Sequence, residues 1–239
     1  MIYALVKIFK EKQHAQSFIN GELYMQTLRD YKDWIDDNGE LRGDPCEGIV
    51  GYFQSDDIQL EIGNIKLDSD SFDGAVLVHS NDLLSRNAFC TYALNSRGFD
   101  KISVDTLKEF KNILEVHSKC YGLGSYCVAI TNVSEFISRA KSAIKSINVD
   151  GAISLVDYFD DQIFSGELDS DMHGFQKRKT FEHQREHQRE HRILIDLNYK
   201  IPEKYTLNVG DLSDITTEIL TPQELNEILE VRLPDGSKA

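Results

Sequence analysis

The sequence predicts an α+β domain with a mostly antiparallel sheet and several flanking helices. Three observations predict it. Short apolar, β-branched runs are separated by Asp, Ser, Asn and Gly; amphipathic stretches of helical period lie between them; and only four prolines occur in 239 residues, with no Pro/Gly-rich linker and no break in composition. The last point favours one continuous domain, residues 1–239, over two tethered ones.

Residues 2–9 (IYALVKIF) have the apolar, β-branched character of a strand. Residues 11–20 place Ala15, Phe18 and Ile19 at helical spacing, and Gly21 stops that helix as a C-cap. Tyr24, Met25 and Leu28 continue an apolar pattern through a short strand or turn into a helix reaching Tyr31 and Trp34, before the turn Asp36-Asp37-Asn38-Gly39. Residues 49–79 alternate apolar runs with turn formers, the texture of antiparallel strands. Residues 107–116 form an amphipathic helix and residues 126–131 (YCVAIT) a buried strand; Ser134 caps a helix whose apolar face holds Phe136, Ile137, Ala140 and Ile144. Residues 151–158 are a further strand, residues 159–174 an acidic loop, and residues 193–197 another strand. Thr221-Pro222-Gln223-Glu224 starts a last helix, with Pro at its first position.

Forty acidic residues against twenty-six basic ones give a net charge of −14, which repels phosphate backbones and opposes nonspecific nucleic-acid and membrane binding while suiting a basic partner protein. No apolar run approaches the roughly 18 residues needed to span a bilayer, and the amino terminus lacks the features of a signal peptide, so a cytoplasmic location is expected. Cys46, Cys90, Cys120 and Cys127 have no C-x-x-C spacing and read as free thiols, mostly in the core.

Three constellations carry chemistry. His183, His187 and His191 lie at i, i+4 and i+8 in a duplicated tetrapeptide, so on a helix they share one side, and an i, i+4 pair can chelate Zn²⁺. No further carboxylate or thiolate ligand is identifiable, so a solvated charged helix is favoured over a metal-assisted hydrolase. The loop Arg42-Gly43-Asp44-Pro45-Cys46-Glu47-Gly48 concentrates charge between glycines, which suits close backbone approach to a ligand; a self-satisfied turn with Arg42 paired to Glu47 is the alternative. Gln188-x-Glu190-x-Arg192 then runs directly into a strand. There Glu190 could meet a ribose hydroxyl and stabilise developing positive charge, or could simply pair with Arg192 on a polar sheet face.

Together the R-G-D-x-x-E-G loop and the Q-x-E-x-R-I block resemble a group of uncharacterised bacterial and prophage proteins, over about residues 2–200. Gln188-x-Glu190 at a strand start is also similar to the Q-x-E element of ADP-ribosyltransferases, with Gln184-x-Glu186 as a competing match that does not abut the strand. This second resemblance implies an ADP-ribosyltransferase-like fold and an NAD⁺-dependent transferase of toxin or phage-defence type. Glu190 would be its catalytic carboxylate and Gln188 would orient the target, with Arg42, Asp44, Glu47, Tyr92 and Arg192 holding an NAD-like nucleotide. The family's Arg or His on the first strand has only Tyr3 and Lys7 as counterparts, and Thr91-Tyr92 stand in for its Ser-Thr-Ser run. On this reading Glu190 should sit free at a pocket edge, not locked to Arg192. The rival from another class is a non-catalytic acidic protein that binds a basic partner.

Overall fold

Strand β1 (Ile2–Phe9), helix α1 (Lys12–Ile19), strand β2 (Glu22–Thr27) and helix α2 (Leu28–Asp33) open the chain in the predicted order. The computed structural model describes residues 1–34, 43–96, 98–99, 101–179, 189–198, 203–236 and 238. Helix α1 stops where Gly21 turns to φ +94° and returns its N–H to the Phe18 carbonyl. A capping box between Thr27 and Asp30 starts α2. The turn expected at residues 36–39 lies outside the described residues.

Next come β3 (Ile49–Phe53), β4 (Leu60–Ile62), β5 (Ile65–Leu67), β6 (Val76–His79), α3 (Asn81–Leu84) and β7 (Asn87–Asn95). They are followed by α4 (Leu107–Leu114), β8 (Tyr126–Ile130), α5 (Val133–Ser146), β9 (Asp150–Leu155) and β10 (Asp157–Asp160). The chain ends through β11 (Gly166–Glu167), β12 (Gln176–Lys179), β13 (Glu190–Asp196), β14 (Tyr205–Asn208) and α6 (Pro222–Ile228). The result is the expected α+β domain with mostly antiparallel sheets. Several expectations need correction. Asn132, not Ser134, caps α5, because its side chain accepts the Glu135 N–H. The strand expected over 151–158 breaks at Val156 into β9 and β10, which join different sheets, and the acidic loop after it contains β11. No helix among the described residues is long and apolar enough to cross a membrane.

The unanticipated β7 is the centre of the main sheet. One of its edges pairs with β13 from Asn87 to Tyr92, and β9 continues the sheet beyond β13. Its other edge is shared: β1 pairs with residues 92–95 and β2 with residues 87–88. Between those two footholds the sheet splits, as β1 turns toward β8 and β2 toward β14.

Side chains alternate along β7. Phe89 and Ala93 join Phe18, Phe136 and Ile193 in the largest core, under α1 and α5, where Phe18 stacks on Phe89 at 5.8 Å between ring centroids. Full burial of one such ring stabilises the fold by roughly 1.5–3 kcal/mol. On the opposite face Tyr92 and Leu94 enter a second core with Phe110, Leu114 and Leu225, while Ala88 enters a third with Leu28, Leu83 and Phe175. Cys90 falls between these two cores, on the same face. That gap is filled by charge.

Candidate functional site

Glu190 and Arg192 stand two residues apart on β13, so both project toward the face of Cys90, opposite Tyr92 and Cys90 in register. Arg192 is 1% exposed and fully engaged: its guanidinium donates to both Glu47 oxygens at 2.8 and 3.0 Å, to Glu190 Oε1 at 2.7 and 3.1 Å, and to the Gly174 carbonyl at 2.7 Å. Lys177 on β12 reaches in from the other side, with Nζ 2.8 Å from Glu47, 3.0 Å from Glu190 and 3.9 Å from Asp44. Among the described residues Glu47 and Glu190 thus share two cations, with Asp44 beside Lys177, and all five side chains are buried.

The loop that supplies Asp44 and Glu47 is pinned at both ends. The Asp44 N–H donates to the Tyr31 carbonyl, Asp44 Oδ1 accepts the Cys46 N–H, and Gly48 takes φ +71° where any Cβ would collide with Leu84. Only glycine fits there without strain or clash. Glu47 is consequently delivered to Arg192 in one orientation.

Burial alone would raise the pKa of Glu47 and of Glu190. The charges of Arg192 and Lys177 overcome it and hold both groups below the usual carboxylate range; the Cys90 thiol also donates to Glu190. Lys177 is likewise disfavoured by burial, yet Glu190 and Glu47 keep it firmly protonated. Burial, and then the Glu190 charge, push the Cys90 thiol up to about 12, so it is a hydrogen-bond donor and not a resting nucleophile. At neutral pH the site therefore presents ionised carboxylates that accept hydrogen bonds and stabilise positive charge but do not take up protons.

This floor opens into a cavity of about 750 Å³ that occupies the split in the sheet. Both faces of β7 line it, Phe89 and Thr91 from one and Cys90 and Tyr92 from the other, as an opening through the sheet requires. At its wall the Lys7 ammonium, 4.5 Å from the Phe89 ring centroid, donates at 2.6 Å to the Cys90 carbonyl. Lys7 thus supplies a donor in the region where β1 and β2 diverge from β7. Tyr24, Tyr31 and Trp34 add aromatic surface, and Lys10 and His14 stand at the α1 end.

The structure brings together Glu47, Glu190, Tyr92 and Arg192 at this cavity, with Asp44 behind Lys177. Arg42 and Gln188 lie outside the described residues, as do His183 and His187. Glu190 does not stand free of Arg192, as the sequence reading required; it is bound by both Arg192 and Lys177, because an unpaired carboxylate buried this deeply would be strongly disfavoured. The alternative reading, a Glu190–Arg192 pair, is the one found, and both residues are buried. Glu47 pairs with Arg192 and Lys177 across the fold, while the Arg42 contact foreseen within the loop lies outside the described residues. The Tyr92 hydroxyl donates to the Glu115 carbonyl and accepts the His117 N–H, so it offers the cavity ring surface more than a hydroxyl. His191 belongs to β13 and not to a histidine helix; it points to the face opposite Glu190, beside Thr91, and burial lowers its imidazole to about 4. Among the described residues no group of His, Cys, Asp and Glu is arranged to hold a metal ion.

Sequence reasoning missed Lys7 and Lys177 as site residues. Lys7 enters the sequence reading only as a counterpart to the family's first-strand Arg or His, and Lys177 does not enter it. A charged residue in the middle of an apolar strand was the available signal for Lys7. In comparisons with protein-family models, with curated proteins and with solved structures, nothing matches the chain.

Proposed function

We propose that the chain binds a nucleotide-like ligand in the split between β1 and β2, and that the ligand is NAD⁺ or a close analogue whose cationic, ribose-linked end rests on the Glu47–Glu190 floor. The observation that carries this reading is the pair of buried carboxylates, Glu47 and Glu190, held ionised at the bottom of a cavity with aromatic walls. A cavity of about 750 Å³ lies inside the usual range for small-molecule sites. Tyr24, Tyr31 and Trp34 offer faces for a base, and Lys7 and Lys10 offer positive charge for phosphates.

The chemistry suited to such a floor is cleavage of the bond between ribose C1′ and the nicotinamide nitrogen. The bonding pair leaves with nicotinamide, positive charge grows on the ribose, and the fixed carboxylates stabilise it without having to reorganise. An acceptor oxygen or nitrogen then bonds to C1′ and releases its proton to solvent, giving ADP-ribosyl transfer. Glu190 acts here as an electrostatic and ribose-orienting group, since its depressed pKa rules out a role as base near neutrality. The resemblance assigns orientation of the acceptor to Gln188.

Isothermal titration with NAD⁺, and nicotinamide release from labelled NAD⁺ in several cell lysates, test the reading directly. Glu190→Gln should lower cleavage on the order of 100-fold, as loss of a well-placed electrostatic group does. Its melting temperature must be measured alongside, because the amide also weakens the grip on Arg192 and Lys177. Neither binding nor cleavage by folded wild-type protein would sink the proposal.

A further inference from the structure

The hairpin β4–β5 stands apart from the cavity and from the main sheet. Its register pairs Leu60 with Leu67, Glu61 with Lys66 and Ile62 with Ile65, and Gly63 takes φ +62° in the two-residue turn. Partners in register share a face, so Leu60, Ile62, Ile65 and Leu67 form one apolar face while Glu61 and Lys66, 3.3 Å apart, form the other. No other strand among the described residues pairs with this hairpin. Its apolar face is open to solvent: Ile62 and Ile65 are 67% and 65% exposed, and Leu60 is 41% exposed. A two-stranded hairpin with an uncovered apolar face is marginal by itself in water, and alternation this strict places apolar side chains where something covers them.

Charge says what covers it. Residues 55–73, the hairpin and its two flanks, carry Asp56, Asp57, Glu61, Asp68, Asp70 and Asp73 against the single cation Lys66. A second copy of a chain with net charge −14 would bring the same acidic rim against itself, and an anionic lipid surface would be repelled equally. We infer that the β4–β5 face is the docking surface for a partner protein that presents an extended, apolar segment flanked by lysine or arginine. Apolar contact with Ile62 and Ile65 supplies the affinity, and the aspartate rim supplies steering and selectivity. This inference is independent of the ligand proposed for the cavity.

The probe is a synthetic peptide of alternating valine and lysine, compared with its valine–glutamate counterpart, each labelled for fluorescence anisotropy. The lysine peptide should bind, weaken as salt is raised, and slow amide exchange over residues 60–67. The double variant Ile62→Ser/Ile65→Ser should weaken it about tenfold or more. Asp68→Asn/Asp70→Asn, which leaves the apolar face intact, should reduce both affinity and salt dependence. Melting curves establish that both variants fold. Absence of binding, equal binding of the glutamate peptide, or affinity unchanged in the isoleucine variant would overturn the inference. So would a concentration-dependent dimer in sedimentation that the isoleucine variant abolishes, since the occupant would then be a second copy.

Discussion

Replacement of Arg192 by methionine tests the charge network most severely. The side chains are similar in length, so little space is left; what disappears is a guanidinium that makes five hydrogen bonds to Glu47, Glu190 and Gly174. Among the described residues Lys177 would then be the one cation left on Glu47 and Glu190. Breaking one side of a buried ion pair typically costs roughly 3–5 kcal/mol, chiefly because the remaining charge stays buried without its partner. For a chain of this size each kcal/mol moves the melting temperature by about 2–4 °C, so a drop on the order of 10 °C is expected in calorimetry. Acid should narrow the gap. In the wild type both carboxylates are held below their ordinary values, so their stabilising contribution is complete at neutral pH and is lost only as pH falls through those depressed values. Without Arg192, burial and mutual repulsion dominate and the carboxylates titrate upward, so the variant recovers stability as pH drops from 7 toward about 5. A variant that melts within about 2 °C of wild type, with parallel pH profiles, would refute the view that Arg192 holds the site together.

Two further outcomes follow from groups on either side of the split. Lys7→Met removes the donor to the Cys90 carbonyl and should cost about 1–3 kcal/mol in urea unfolding, with faster amide exchange around residues 89–91; unchanged exchange there would show that β7 does not depend on the ammonium. Burial holds the His191 imidazole at about 4, below its ordinary 6.5, so the folded state resists a proton that the unfolded chain accepts. Stability should therefore decline as pH falls from 6.5 toward 4 by more in wild type than in His191→Gln, and NMR titration of the imidazole gives the folded value directly.

The elements with a clean period were legible: α1, α4 and the Pro222 start of α6 expose one face and bury another, and β1 showed as an unbroken apolar run. Strand β7 was not, for a physical reason. It is covered on both faces and paired on both edges, so Ala88, Phe89, Tyr92, Ala93 and Leu94 are all buried and no alternation survives in the sequence. The site was half legible. Glu47, Glu190 and Arg192 were marked by charge set against apolar or glycine-rich surroundings, but their pairing joins a loop near residue 47 to a strand near residue 192, and local spacing carries no trace of such a contact. That pairing also decided the state of Glu190, which the motif alone had left free.

The arrangement around β7 has a consequence for the chain during its synthesis. One edge of this strand finds β1 and β2, both already made, but the other waits for residues 190–195. Until the ribosome has produced that segment, a row of backbone donors and acceptors from Asn87 to Tyr92 lacks its permanent neighbour, and so does the carboxylate of Glu47. Such an open edge on a nascent chain invites pairing with the wrong strand, and contacts this remote in sequence form slowly. Arrival of β13 closes the edge and brings Arg192 to Glu47 in a single event, so a stalled or truncated product ending before Glu190 should be a substrate for chaperones and proteases, not a smaller working version of the protein.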